Sequence, residues 1–95
     1  MRSLLPLRFG VLYYLDKVDK ACADDVLVGL KSEYGTERQF NKSSINDHLL
    51  SMRENGIVKD TDAKLEKDGT LCLYYSINEE GRDLLKKYLP KSWRL

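Results

Sequence analysis

The sequence predicts an α+β fold of three helices, a β-hairpin and a C-terminal helix. Three observations carry that prediction. Apolar residues recur at helical spacing as far as Gly56, and the spacing then changes to strand-like alternation over Leu71–Ile77. Between the two strand-like runs lies Asp68-Gly69, a strong hairpin signal. The chain of 95 residues, 42% of them apolar, has enough to build one core and no room for a second, so 1–95 is expected to be a single domain.

The first helix is expected from about Leu4 to Val18, with Ser3 able to cap it and Pro6 in its first turn, where a missing N–H is harmless. Leu7, Val11, Tyr14, Leu15 and Val18 form one apolar stripe, and Leu5, Phe9 and Leu12 a second. A helix apolar on two faces must bury both. A second helix should begin near Asp24 or Asp25, whose carboxylates suit a helix N-terminus. It runs through Val26, Leu27, Leu30 and Tyr34 to Gly35, a residue suited to the position just after a helix.

A polar connection over residues 36–42 leads to a third helix, about 43–55, opened by Ser43 or Ser44 and stopped by Gly56. Ile45, Leu49 and Met52 are its buried stripe. The hairpin spans about 57–77: Ile57-Val58-Lys59 reads as one strand and residues 71–77 as the other, with Leu71, Leu73, Tyr75 and Ile77 on one face and Cys72 on the opposite one. Asn78 then caps a last helix, about 79–89, with Leu84, Leu85, Tyr88 and Leu89 as its apolar positions and Pro90 as its stop.

Composition excludes several classes. No apolar run approaches the roughly 18–20 residues of a membrane helix. The N-terminal apolar stretch is broken by Pro6 and Arg8 and has no small-residue cleavage site, so no signal peptide is expected. Cys22 and Cys72 are too few for a secreted disulfide scaffold and read as reduced thiols of a cytoplasmic protein. His48 is the single histidine, and the cysteines show no ligand spacing, so neither a metal site nor a cofactor is expected. Without a Gly-rich phosphate loop or a nucleophile–base pair at interpretable spacing, no catalytic residue is assigned.

The net charge of +1 is low for a nucleic-acid binder, but it is unevenly spread. Residues 60–81 sum to −4 and residues 82–95 to +4, while residues 36–59 are mildly positive.

Two segments carry a family resemblance. Ser43-Ser44-Ile45-Asn46-Asp47-His48-Leu49-Leu50-Ser51-Met52-Arg53-Glu54-Asn55-Gly56-Ile57-Val58 resembles the recognition helix of the MarR, ArsR and PadR repressor families, in which Gly-(Leu/Ile)-Val leads into the wing. Leu73-Tyr74-Tyr75-Ser76-Ile77-Asn78-Glu79-Glu80-Gly81-Arg82-Asp83-Leu84-Leu85 is similar to the Tyr-Tyr-x-Leu-Thr-x-x-Gly-x-x-Leu-Leu segment that closes the wing in PadR-like and MarR-like proteins, with Asn78 in place of the usual Thr. Together they cover roughly a third of the chain, and the order of elements extends the match.

The resemblance implies a winged helix-turn-helix that binds double-stranded DNA as a transcriptional regulator, with the third helix in the major groove. If Ile45, Leu49 and Met52 face inward, Ser43, Asn46, Asp47, Leu50 and Glu54 face outward, flanked by Ser51 and Arg53. Asn46, the one amide on that face, suits adenine; Asp47 suits cytosine N4 but repels phosphates; Leu50 suits a thymine methyl. Arg38, Gln39, Asn41, Lys42, Ser43 and Ser44 are expected to meet phosphates together with the helix N-terminus. The acidic wing, with Asp60, Asp62, Glu66 and Asp68, makes a poor backbone clamp.

Leu5, Phe9 and Leu12 would form an exposed patch, and Trp93 is unlikely to sit free in water; these four are the expected homodimer interface. The alternative is a winged-helix adaptor that binds protein through the third helix or the wing and does not touch DNA.

Overall fold

A computed structural model describes residues 5–90 of the chain. The order of elements is α1 (Leu7–Lys17), α2 (Ala23–Tyr34), α3 (Lys42–Glu54), β1 (Val58–Leu65), β2 (Leu71–Ile77) and α4 (Glu79–Tyr88). This is the α+β order expected, with differences at the element ends that have local causes.

Helix α1 begins at Leu7 with Pro6 in the N-cap position, so the proline stands just outside the helix. Ser3 and Leu4, expected at this end, lie outside the described residues. Helix α2 begins at Ala23 with Cys22 as N-cap, and the Asp25 carboxylate accepts the Cys22 backbone N–H at 3.2 Å. Gly35 does not take the left-handed turn expected after α2. It stays right-handed at φ −59°, and its N–H donates to the Lys31 carbonyl at 2.9 Å.

Helix α3 is capped two or three residues earlier than expected. Asn41 is the N-cap, its Oδ1 accepting the Ser44 N–H at 2.9 Å, while Ser43 and Ser44 lie inside the helix. Gly56 does end the segment, at φ +78°, a conformation that glycine alone adopts freely.

Strand β1 runs six residues past Lys59, to Leu65. After Val58 every residue of it is exposed, so no apolar alternation announced it. It pairs antiparallel with β2, with an irregularity between Asp60 and Asp62, and Gly69 turns the hairpin at φ +89°. On β2 the expected face splits. Tyr75 and Ile77 are buried and Leu73 half-buried, but Leu71, at the hairpin end of the strand, is 60% exposed. The outer edge of β2 is also occupied: Ala21 and Tyr75 exchange both backbone hydrogen bonds, at 3.0 and 2.9 Å. This bridge ties the α1–α2 connection to the hairpin.

The core gathers Val11, Leu12 and Leu15 of α1, Val26, Leu30 and Tyr34 of α2, Ile45, Leu49 and Met52 of α3, and Val58, Tyr75, Ile77 and Leu85. Tyr34 is fully buried yet satisfied, its hydroxyl donating to the Leu5 carbonyl at 2.6 Å. Burial and the nearby Glu33 and Glu37 push its phenol up to about 12, so it remains a neutral donor. At the other end of the molecule Asn78 caps α4 through the Gly81 N–H at 3.0 Å and donates through Nδ2 to the Gly56 carbonyl at 2.7 Å. One side chain thus starts α4 and fastens it to the chain leaving α3.

Candidate nucleic-acid interface

Helix α3 is oriented by its buried stripe. Ile45, Leu49 and Met52 have no exposed surface, which turns the opposite face outward. The connection before it is held from below by Phe40, whose ring stacks on Tyr34 with centroids 6.2 Å apart. Backbone bonds from Glu37 to the Tyr34 carbonyl and from Phe40 to the Glu37 carbonyl fold the chain between them. Arg38, Gln39, Asn41, Lys42 and Ser43 are exposed as a result, along with Asp47 and Leu50 farther along α3. Ser44, Asn46 and Arg53 are half-buried.

Three of these residues are already engaged. Asn41 uses its Oδ1 on the α3 cap, leaving Nδ2 near the Arg38 carbonyl at 3.5 Å. Lys42 Nζ lies 3.1 Å from Asp24 Oδ2, and that hydrogen bond holds the ammonium above its ordinary pKa. Arg53 reaches Asp60 of β1 at 3.9 Å. Each ion pair joins two different elements, α2 with α3 and α3 with β1, which spacing within one element could not show. Both are exposed, so water and salt screen them and a phosphate can replace either carboxylate at small expense.

The wing is less repulsive than its composition suggests. Asp60 faces Arg53, Asp62 is paired with Lys20 at 2.5 Å, and Asp68 accepts the Thr70 N–H of its own turn at 2.9 Å. Lys20 holds the Asp62 carboxyl below the usual carboxylate range, and the Thr70 backbone does the same for Asp68. Between the start of α3 and the hairpin tip is a cleft of about 490 Å³ that brings Lys42, Lys64 and Lys67 together, with Asp24, Glu66 and Asp68 interspersed. Asn46 and Leu50 line a neighbouring cleft of about 240 Å³ against Leu71 and Leu73 of β2. The outward residues of α3 and the inner edge of the wing therefore form one continuous surface.

His48 is half-buried on the flank of α3; burial first, then the positive charge of Arg8, lowers its pKa.

The second apolar stripe of α1 needs a correction. Leu5 and Leu12 are 4% and 1% exposed, so they are not free surface: α4 packs beside α1 and covers them. Phe9 is half-buried. These residues form the floor of an apolar groove of about 430 Å³, bounded by Leu84, Tyr88 and Pro90, in which Tyr88 is 58% exposed. Trp93 lies outside the described residues.

Cys22 and Cys72, fifty positions apart in sequence, are both buried and free, and the fold sets them side by side. Burial and the Cys22 thiol push Cys72 up to about 11. With Asp24 they are the one group among the described residues whose donor atoms converge as metal ligands do.

The fold is shared with solved structures of regulators. A PadR-like transcriptional regulator from Bacillus cereus superposes with a TM-score of 0.67, at 23% identity, over 92% of this chain and 80% of that one. A candidate transcriptional regulator from Thermoplasma acidophilum gives 0.61 at 23% identity, over 87% of this chain and 80% of its own. No protein-family profile and no curated protein sequence matches the chain. At these identities the likeness establishes the fold, a winged helix with four helices and a two-stranded wing.

Proposed function

We propose that this chain is a DNA-binding transcriptional regulator, acting as a repressor by occupying its operator. Helix α3 lies in the major groove with Asn46, Asp47 and Leu50 toward base edges and Arg53 beside them. Arg38, Gln39, Lys42, Ser43 and Ser44 position the phosphate backbone, and Asn41 contributes by holding the helix N-terminus in shape. One observation carries the reading. The exposed face of α3 and the basic turn before it form a continuous polar surface, on a fold shared with proteins described as transcriptional regulators. The protein needs no catalysis for this task and works in the cytoplasm, where paired thiols stay reduced. Among the described residues no helix is long and apolar enough to cross a membrane.

The regulator works as a homodimer, since two-fold symmetry matches two half-sites on the duplex. The apolar α1–α4 groove, with Phe9 and the exposed Tyr88 over the buried Leu5 and Leu12, supports this face as the contact, and Trp93 belongs to the same expected interface.

Duplex binding at several salt concentrations tests the first claim. Affinity should fall steeply with salt, and Lys42→Ala should weaken binding and reduce the slope of log K against log salt by about 1. Absence of duplex binding at low salt excludes the reading and leaves the protein-binding adaptor. Sedimentation tests the second: Phe9→Glu should shift the mass toward monomer, and an unchanged dimer removes Phe9 from the interface.

A further inference from the structure

The geometry points to a binding site for a thiophilic cation of the Zn²⁺ class, formed by Cys22, Asp24 and Cys72. The Sγ atoms of the two cysteines and a carboxylate oxygen of Asp24 all lie within 4.8 Å of one another. In a tetrahedral zinc site, with Zn–S near 2.3 Å and Zn–O near 2.0–2.2 Å, such donors stand roughly 3.5–3.8 Å apart. Side-chain rotation of about an ångström closes the difference. Two thiolates and a carboxylate are a soft donor set that favours Zn²⁺ over Mg²⁺ or Ca²⁺.

Both thiols are buried, at 4% and 8% exposure. Cys22 occupies the N-cap of α2, where Ser, Asp or Asn is the ordinary choice and a thiol is a weak acceptor. The Ala21–Tyr75 bridge fixes their juxtaposition: it sets the start of α2 antiparallel to β2, so that the chain beyond Ala21 runs past Tyr74 and Cys72.

Charge supports the assignment. Two thiolates and a carboxylate around a divalent cation leave one net negative charge. The site lies at the N-terminus of a 12-residue helix, whose positive end favours an anionic complex. Three protein ligands leave the fourth position to water from the cleft that Cys72 lines with Lys42, Glu66 and Thr70. Asp24 is shared, because its Oδ2 also accepts from Lys42 at 3.1 Å. Cation binding and the Lys42 ion pair therefore compete for one carboxylate. The assignment stands independently of DNA binding.

Cobalt titration of the reduced, metal-free protein under anaerobic conditions tests it. The expected result is one equivalent bound, with a thiolate-to-cobalt charge-transfer band and the intense visible bands of tetrahedral Co²⁺, both bleached by added Zn²⁺. Cys22→Ser and Cys72→Ser should each lose a large part of the charge-transfer band, and the double variant all of it. Asp24→Asn should keep the band but need more cobalt to reach it, whereas Lys42→Ala, which removes a competing cation, should need less. Circular dichroism shows whether each variant is folded. The wild type decides the matter alone: a folded protein with two reduced thiols that shows no charge-transfer band in excess cobalt overturns the proposal.

Discussion

Gly81→Ala sets helix propensity against close packing, and the structure says which wins. Gly81 is the third residue of α4 and is buried. Alanine is worth up to about 1 kcal/mol over glycine inside a helix, so local preference alone favours the substitution. The added Cβ, however, would press into the Ile57 carbonyl oxygen and come within 2.7 Å of Ile77 Cγ1. The first of these is backbone and cannot rotate aside as a side chain can. That same oxygen accepts the Asn78 N–H at 3.2 Å, so moving α4 away also loosens the bond that docks it on the chain after α3. Overpacking of this kind costs about 1–3 kcal/mol, and the weakened hydrogen bond about 1 kcal/mol more. Offset by the propensity gain, the net loss is about 1–3 kcal/mol, or about 4–8 °C in Tm for each kcal/mol. Urea unfolding followed by circular dichroism, at one fixed protein concentration, should show a lower midpoint with an unchanged slope. If Gly81→Ala proves as stable as the wild type, α4 is not seated against Ile57 as described, and the explanation of this glycine fails.

Tyr34→Phe keeps the ring over Phe40 but leaves the buried Leu5 carbonyl without its donor, and should cost about 1–3 kcal/mol in the same unfolding assay. Asn41→Ala removes the α3 cap and should cost about 1 kcal/mol, while Asn41→Asp, which can still accept from Ser44, should cost much less. His48 gives a pH prediction with a definite sign. Its folded pKa lies below the ordinary imidazole value of 6.5, so the unfolded chain takes the proton first. Its contribution is complete well above pH 6.5, declines as pH falls through that value, and levels off once the native imidazole is itself protonated. In urea midpoints measured from pH 8 down to pH 5, His48→Gln should flatten that decline; an identical pH profile would show that the histidine is not the group responsible.

Much of the fold was legible in the sequence because the information was local. Helical stripes in α1, α2 and α3, Asp68-Gly69 at the hairpin and Asn78 before α4 each declare themselves within a few residues. Features missing from that reading have a common cause. Strand β1 presents one buried residue, Val58, followed by seven exposed ones, and a strand without an apolar face has no period to detect. The Leu5–Phe9–Leu12 stripe is real, but α4 returns across it from the far end of the chain, which spacing within α1 cannot reveal. That Asn41, an expected phosphate contact, also caps α3 is shown only by its bond to the Ser44 N–H, because a polar residue before a helix serves either role.

The candidate interface was legible as a face but not as a charge distribution. A net charge of +1 and a sum of −4 over residues 60–81 argue against nucleic acid only if every charge acts freely. In the fold they do not. Asp60 and Asp62 are drawn back to Arg53 and Lys20, and Asp68 is spent on its own turn, while Lys64 and Lys67 converge with Lys42 on one cleft. The same pairing restrains the cations, because Lys42 and Arg53 must leave Asp24 and Asp60 to meet a phosphate. Exposed pairs of this kind are weakly held and strongly screened. On the proposed reading a polyanion would replace the carboxylates, and the basic surface would be assembled on contact rather than displayed beforehand. Net charge undercounts such a surface because it sums groups that the fold has already set against one another.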